Sequence, residues 1–242
     1  MSETSASQDR LTEVRHLLTE ATHRLLGDTI AVGDEDWPAP SRLPGWSRGH
    51  VATHIARQAE ALSRLANWAR TGQRQAMYSS DDERNAQIDA GSGRSGLELQ
   101  IDLDTTAGRL AEDFESLDAA DAWDAVVELR GGTEVPARML PLARLGEVVL
   151  HHIDLDIGYD IDAVDPATAG WLLEYTAFRL GGRDGFPSLE LRVTGGPASR
   201  VGPPSDEPQV ISGTAAALLG WLTGRSGPDR VEGAEGLSLP PL

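Results

Sequence analysis

The stretch Arg144-Leu-Gly-Glu-Val-Val-Leu-His-His-Ile-Asp-Leu-Asp156 decides how this chain is organised around its chemistry. It is an apolar run of helical character in which Glu147 and His151 are four residues apart. A helix turns once in about 3.6 residues, so this spacing puts both side chains on one face. A carboxylate and an imidazole placed side by side in this way form half of a divalent-metal site.

The same pair also has more ordinary interpretations. A Glu-x-x-x-His pair is common by chance, and Glu147 could instead form a buried salt bridge with an arginine or lie on a solvated face. His152 projects about 100 degrees away from His151 on a helix, so it is not expected to join the site. Asp154 follows His151 by three residues and could orient its imidazole, or it could end the helix or pair with an arginine.

A third ligand has to come from another helix. Residues 48–70 have helical periodicity, with His54 in the second turn on an apolar face and His50 one turn earlier, at the helix start. His16 and His23 lie in the first predicted helix, where a lone histidine is more often a surface or core residue. His54 is therefore the best third ligand. Two histidines and a glutamate form a catalytic type of zinc set with one position for water or substrate, and iron or another divalent ion would also fit.

The composition limits the possible partners and cofactors. The net charge of -17, from 38 acidic and 21 basic residues, disfavours nucleic acid as a partner. The chain has no cysteine, so any metal must be bound by His, Asp and Glu, and any thiol must come from outside the chain. Residues 1–8 do not resemble a signal peptide, and no apolar run approaches the roughly 20 residues that span a membrane. We therefore expect a cytoplasmic protein that binds no membrane, and we expect a monomer.

Periodicity predicts an α+β fold with a helical first part. Helices are expected at about residues 11–26, 48–70 and 97–117, and in a fourth segment that starts near Pro141 and ends before Gly158. Gly27 is expected to end the first helix and Ser47 to cap the second. Between the second and third helices we expect a short helical segment at residues 81–88 and a flexible connection at residues 91–96. A hairpin is predicted at residues 123–135, with its turn at Gly131-Gly132.

The pattern changes at about Asp162. Helices are predicted at residues 166–180 and 214–222, and strands at residues 188–194, 209–212 and 237–239. These elements indicate a smaller α/β unit and a domain boundary near Asp160. We therefore expect a metal-binding helical bundle at residues 1–160 and a small α/β C-terminal domain at residues 161–242.

Four segments carry a resemblance to a known family. Leu43-Pro-Gly-Trp-Ser-Arg-Gly-His-Val-Ala-Thr-His-Ile-Ala56 and Leu145-Gly-Glu-Val-Val-Leu-His-His-Ile-Asp-Leu155 resemble mycothiol-dependent maleylpyruvate isomerase. The similarity extends to Glu83-Arg-Asn-Ala-Gln-Ile88 and to Leu218-Leu-Gly-Trp-Leu-Thr-Gly-Arg225. The metal motif is shared by the wider DinB-like thiol-transferase superfamily, whereas the C-terminal motif is more selective. The resemblance implies a DinB-like four-helix bundle followed by a small α/β domain.

The same resemblance implies the site residues and the reaction. His54, Glu147 and His151 would be zinc ligands, and Arg84 and Arg225 would act on anionic groups, although each arginine could simply be solvated. The implied reaction is the conversion of maleylpyruvate to fumarylpyruvate in gentisate degradation, by addition of a zinc-activated mycothiol thiolate. The expected partners are therefore a small-molecule substrate and a low-molecular-weight thiol.

Two other functions are compatible with the sequence. A mycothiol S-transferase would attach the thiol to electrophiles in detoxification and would use the same zinc-bound thiolate. A non-catalytic zinc-binding regulator belongs to a different class. The lack of cysteine argues against a redox-sensing zinc switch, and the lack of a basic DNA-binding helix argues against direct transcriptional control.

Overall fold

The computed structural model describes residues 3–181, 183 and 185–240, which belong to two compact units. The first unit ends at Gly158 and the second begins at Tyr159. The first is mainly helical and the second combines helices with a sheet, which confirms the predicted α+β class. We propose that the two units correspond to the domains expected at residues 1–160 and 161–242. None of the helices in the described part of the chain combines the length and the hydropathy that crossing a membrane requires.

Most of the described residues of the first unit lie in helices. They are α1 (Glu3–Ile30), α2 (Arg48–Thr71), α3 (Asp81–Ser92), α4 (Gly96–Ala119) and α5 (Leu140–Asp154). Helix α2 packs against both α4 and α5, and α1 packs against α5 and α4, which gives the predicted four-helix arrangement. Helix α3 is an additional short helix that packs against α2. The predicted hairpin is present as antiparallel strands β1 (Val126–Glu128) and β2 (Glu134–Pro136), directly before α5.

Helix α2 begins at the predicted cap. The Ser47 hydroxyl accepts a hydrogen bond from the backbone N–H of His50, and the His50 Nδ1 accepts one from the backbone N–H of Ser47. This reciprocal pair satisfies two N–H groups that the first turn leaves unbonded. The helix ends at Gly72, which adopts the left-handed conformation with φ of 72°. Its inward face is completely buried, and each such side chain contributes about 1.5–3 kcal/mol to stability; the face includes Val51, Ile55, Leu62 and Leu65.

Two predictions that depended on glycine are wrong. Gly27 does not end α1, which continues to Ile30. A glycine inside a helix costs only about 1 kcal/mol, so a single glycine does not have to end the helix. Residues 91–96 do not form one flexible connection, because Gly91 is buried in the last turn of α3 and Gly96 begins α4.

The second unit builds a three-stranded sheet with two helices. Helix α6 spans Pro166–Leu180, and the strands are β3 (Leu189–Val193), β4 (Ala198–Val201) and β5 (Gln209–Gly213), followed by helix α7 (Ala215–Leu222). The sheet order is β4-β3-β5, with β4 antiparallel and β5 parallel to β3. Apolar side chains from both helices and all three strands form one core.

Sequence reasoning placed one strand of this unit wrongly and missed another. Residues 237–239 do not form a strand; the extra pairing beside β5 is an isolated antiparallel bridge between Ser212 and Glu232. Strand β4 was not predicted, because it is short and only Val201 among its side chains is buried, so no alternating pattern marks it.

Two glycines allow α3 to approach α2 closely. A Cβ atom at Gly49 of α2 would overlap the carbonyl oxygen of Ser92, and a Cβ atom at Gly91 of α3 would lie 2.5 Å from the Cγ2 of Thr53. Both contacts are shorter than van der Waals packing permits. The position of α3, and of every side chain that it carries, therefore depends on glycine at these positions.

We expect Gly49→Ala to destabilise the first unit by about 1–3 kcal/mol, because the backbone of α3 must shift to accept the new methyl group. Gly27→Ala is the matched control: Gly27 is also helical but has open space where its Cβ would lie, so alanine there should stabilise by about 0.5–1 kcal/mol. Urea unfolding followed by far-UV circular dichroism measures both variants. Equal unfolding midpoints for the two would contradict the importance of this contact.

Candidate functional site

Three predicted ligand atoms converge between α2 and α5. The Nε2 of His54 is 3.1 Å from the Oε2 of Glu147 and 3.1 Å from the Nε2 of His151. The Glu147 Oε2 and the His151 Nε2 are 3.3 Å apart. Glu147 and His151 project from successive turns of α5, as their spacing predicted, and His54 meets them from α2. Within the described residues, this is the one group of three or more His, Asp or Glu side chains arranged to hold a metal ion.

The separations fit a tetrahedral zinc ion. Ligand atoms about 2.1 Å from zinc, at tetrahedral angles, lie about 3.4 Å from one another. The three donor atoms are 3.1 to 3.3 Å apart and so need almost no rearrangement. Two imidazoles and one carboxylate leave a fourth coordination position for an external ligand, which is the arrangement of catalytic rather than structural zinc sites.

Burial and charge pairing shift the pKa values of all three side chains. Burial lowers the pKa of His54 to about 4, so this imidazole is neutral at pH 7. Burial acts to raise the pKa of Glu147, but hydrogen bonds with His151 and His54 outweigh it and hold that pKa well below its usual range. Burial acts to lower the pKa of His151, but hydrogen bonds with Asp154 and Glu147 outweigh this effect and raise that pKa. Glu147 is therefore held as a carboxylate beside the two imidazoles, which is the form in which it can bind a divalent cation.

Asp154 orients His151. Its Oδ2 lies 2.8 Å from the Nδ1 of His151, and its side chain is only 2% exposed. An ionised carboxylate accepts and does not donate, so Nδ1 carries a hydrogen and Nε2 presents its lone pair to the site. The three-residue spacing had suggested this role. His152, as expected, lies outside the cluster, with its Nε2 3.2 Å from the Oδ2 of Asp28.

Aromatic and imidazole rings pack beside His54. Trp46 presents its ring to His54 at a centroid distance of 5.5 Å and an interplanar angle of 67°. Trp46 also stacks on His50, with the centroids 6.2 Å apart. His50 uses its Nδ1 in the cap of α2 and is not part of the converging group, which agrees with its interpretation as a helix-start residue.

Arg84 reaches the site from α3. Its Nη2 is 3.2 Å from the Nδ1 of His54, and its Cζ is 5.7 Å from the ring centroid of Tyr78. A guanidinium group only donates, so Nδ1 of His54 is the acceptor in this arrangement. The structure therefore places Arg84 in contact with one of the predicted metal ligands.

Arg225 belongs to the second unit. It follows the left-handed Gly224, which has φ of 72°, directly after α7. Its Nη1 donates a hydrogen bond of 2.7 Å to the carbonyl oxygen of Thr223, and its side chain is half-buried. Its role in substrate binding stays a prediction.

Sequence reasoning did not identify Tyr78 as a residue of the site. Burial raises the pKa of Tyr78, and the charge of Glu147, one of the predicted metal ligands, raises it further. Arg64 and Arg84 both stack on its ring. Tyr78 precedes α3 in a polar segment without periodicity, so the sequence offered no signal for it.

Comparison with known proteins agrees with this architecture. Two crystal structures of mycothiol-dependent maleylpyruvate isomerase, one of them a variant with a histidine replaced by alanine, are similar to this chain. Each shares 26% sequence identity with a TM-score of 0.85, and the match covers 96% of this chain and 97% of the other. No curated protein sequence matches the chain significantly. The family model described as the mycothiol maleylpyruvate isomerase N-terminal domain matches residues 18–156, which is more than half of the chain, and the protein therefore belongs to this family.

Proposed function

We propose that this protein is a zinc enzyme that uses mycothiol to isomerise maleylpyruvate to fumarylpyruvate. The observation that carries the proposal is the convergence of His54, Glu147 and His151 in a member of this family. The three side chains would hold zinc and leave one position for a thiol sulfur. The chain has no cysteine, so that sulfur must come from a separate molecule.

The proposed chemistry follows from the substrate. A cis double bond rotates only when it is transiently single. Zinc at this site would lower the pKa of a thiol at its open position, so that the thiolate can add to the conjugated alkene and leave again after rotation. The residues of the chain then hold the ion, keep each imidazole in the correct tautomer and bind the substrate's carboxylates.

Arg84 is suited to bind one of these carboxylates. A neutral His54 that binds zinc through Nε2 carries its hydrogen on Nδ1, and Arg84 can no longer donate to that atom. The guanidinium N–H groups then become available to an anion, and their geometry matches a carboxylate bidentately. We assign Arg84 to one carboxylate on this ground, and Arg225 to the other on the resemblance of residues 218–225.

The first prediction concerns the reaction. Purified zinc-loaded protein should convert maleylpyruvate to fumarylpyruvate when mycothiol is added, and conversion should fall to the uncatalysed rate without it, because the chain has no thiol of its own. Absorbance follows the conversion and chromatography identifies the product. A stable mycothiol adduct in place of the trans isomer would favour an S-transferase, and no turnover of any kind would favour a binding protein.

The second prediction concerns the ligand set. His54→Ala should lose both stoichiometric zinc and activity, because two protein ligands bind zinc far more weakly than three. His50→Ala is the control on the same helix: it removes a capping imidazole but no converging donor, so zinc content should stay at one per chain. Elemental analysis after dialysis measures the metal. Stoichiometric zinc in the His54 variant would rule out the ligand assignment.

The third prediction concerns the two arginines. Arg84→Ala and Arg225→Ala should each lower kcat/KM by roughly 10–100-fold, because each removes a charge-assisted bond to a carboxylate worth about 1.5–3 kcal/mol. Zinc should remain bound in both variants. Arg230→Ala is the matched control, since Arg230 lies in the same unit as Arg225 but pairs with Asp162. Loss of zinc from the Arg225 variant, or an equal loss of activity in the Arg230 variant, would contradict the assigned role.

A further inference from the structure

Arg144 is a buried cation of the first unit that forms no salt bridge with any described acidic side chain, although the charge of Glu147 acts on it from a greater distance. The residue is 2% exposed, and its Nη1 donates hydrogen bonds of 2.7 Å to the carbonyl oxygen of Ile55 and to the Oε1 of Gln58. Among the described residues, no acidic side chain forms a salt bridge with it, and no hydrogen bond uses its Nε or Nη2. Burial lowers the pKa of Arg144 to about 10, which still leaves the guanidinium charged at neutral pH.

A cavity of about 260 Å³ lies beside this cation, lined by residues of α1, α4 and α5. Arg144 is part of its lining, together with the buried side chains of Leu110 and Phe114. The exposed residues Asp104 and Glu115 also line it. None of the three converging metal-ligand residues does, so this cavity is separate from the candidate metal centre.

The chemistry of the lining indicates what the cavity would bind. A buried guanidinium without a salt-bridge partner is costly. The charge of Glu147 offsets part of that cost, and an anion in direct contact with Arg144 would remove more of it. The Nε–H and Nη2–H groups of a guanidinium form the edge that pairs bidentately with a carboxylate, and these are the groups that the protein leaves unused. Leu110 and Phe114 offer an apolar surface on which an aromatic ring can pack. Arg15 also lines the cavity but already pairs with Asp118. Asp104 and Glu115 would repel a second negative charge, so the lining favours one carboxylate over two.

We propose that this cavity binds a small aromatic monocarboxylate. Its carboxylate pairs with the Nε and Nη2 of Arg144, and its ring packs against Leu110 and Phe114. The proposal does not depend on the function proposed above, because it uses neither the zinc ligands nor the thiol. Arg144 itself lies about one helical turn before Glu147 on α5.

The test uses the zinc-loaded full chain and 4-fluorobenzoate as a probe, observed by fluorine NMR. We expect saturable binding of the acid, and at least about tenfold weaker binding of 4-fluorobenzyl alcohol, which has the same ring but no charge to pair with Arg144. Equal affinity for the acid and the alcohol would overturn the proposal. The absence of any binding of the acid would also overturn it and would indicate that the cavity holds only water.

Variants locate the probe. Ala107 lines the cavity, so Ala107→Leu should weaken binding of 4-fluorobenzoate by at least about tenfold by occupying its space. Ala119→Leu is the matched control, because Ala119 is exposed on the same helix and lies outside the lining. Binding that survives Ala107→Leu unchanged would place the probe elsewhere, including at zinc, and would also overturn the proposal. Arg144→Met should abolish the preference for the acid over the alcohol. Because loss of a buried hydrogen-bonded side chain can prevent folding, the comparison of Ala107→Leu with Ala119→Leu is the decisive test of where the probe binds.

Discussion

The candidate site depends on the packing of α2 against α5. This contact brings together His54 and Glu147, which are 93 residues apart in sequence but have donor atoms separated by 3.1 Å. Arg144 secures the contact, because it projects from α5 and donates to the backbone of Ile55, the residue that follows His54. A hydrogen bond to a backbone atom fixes the neighbouring helix itself and not only a side chain. The geometry of the ligand cluster therefore depends on a buried cation that takes no part in it.

Buried polar groups of this kind have a cost that explains their arrangement. Glu147, His151 and Asp154 satisfy one another through direct hydrogen bonds, so their burial is largely compensated. Arg144 is hydrogen-bonded only through Nη1, the charge of Glu147 offsets part of the cost of its burial, and the residue lines a cavity. Glu147, His151 and Asp154 thus satisfy one another's hydrogen bonds, whereas Arg144 is only partly hydrogen-bonded.

The features of the site that depend on one helix could be predicted from the sequence. The pairing of Glu147 with His151, the orientation of His151 by Asp154 and the cap formed by Ser47 follow from spacings of three or four residues. The choice of His54 as their partner rested on its apolar face, and the resemblance to the family strengthened it. Spacing could not supply the distance between two helices, which is set by side-chain packing along their whole contact.

The contribution of α3 to the site could not be predicted from spacing along a single helix. The sequence suggested a short helical segment at residues 81–88 and a flexible connection after it, but α3 extends to Ser92. Its approach to α2 depends on Gly49 and Gly91, and a glycine that permits close packing looks the same in a sequence as a glycine that ends a helix. For that reason Arg84 was assigned to the site only by resemblance, its contact with His54 was not predicted, and Tyr78 was not identified.

The distribution of charge connects these observations. The chain as a whole is strongly acidic, with a net charge of -17, and should repel anionic molecules at long range. The ligand cluster nevertheless has Arg84 beside His54 and Arg144 three residues before Glu147 on α5. A divalent ion bound by two neutral imidazoles and one carboxylate would add a further positive charge. In a screened solution the nearest charges dominate, so the immediate surroundings of the cluster would attract a carboxylate even though the protein as a whole does not.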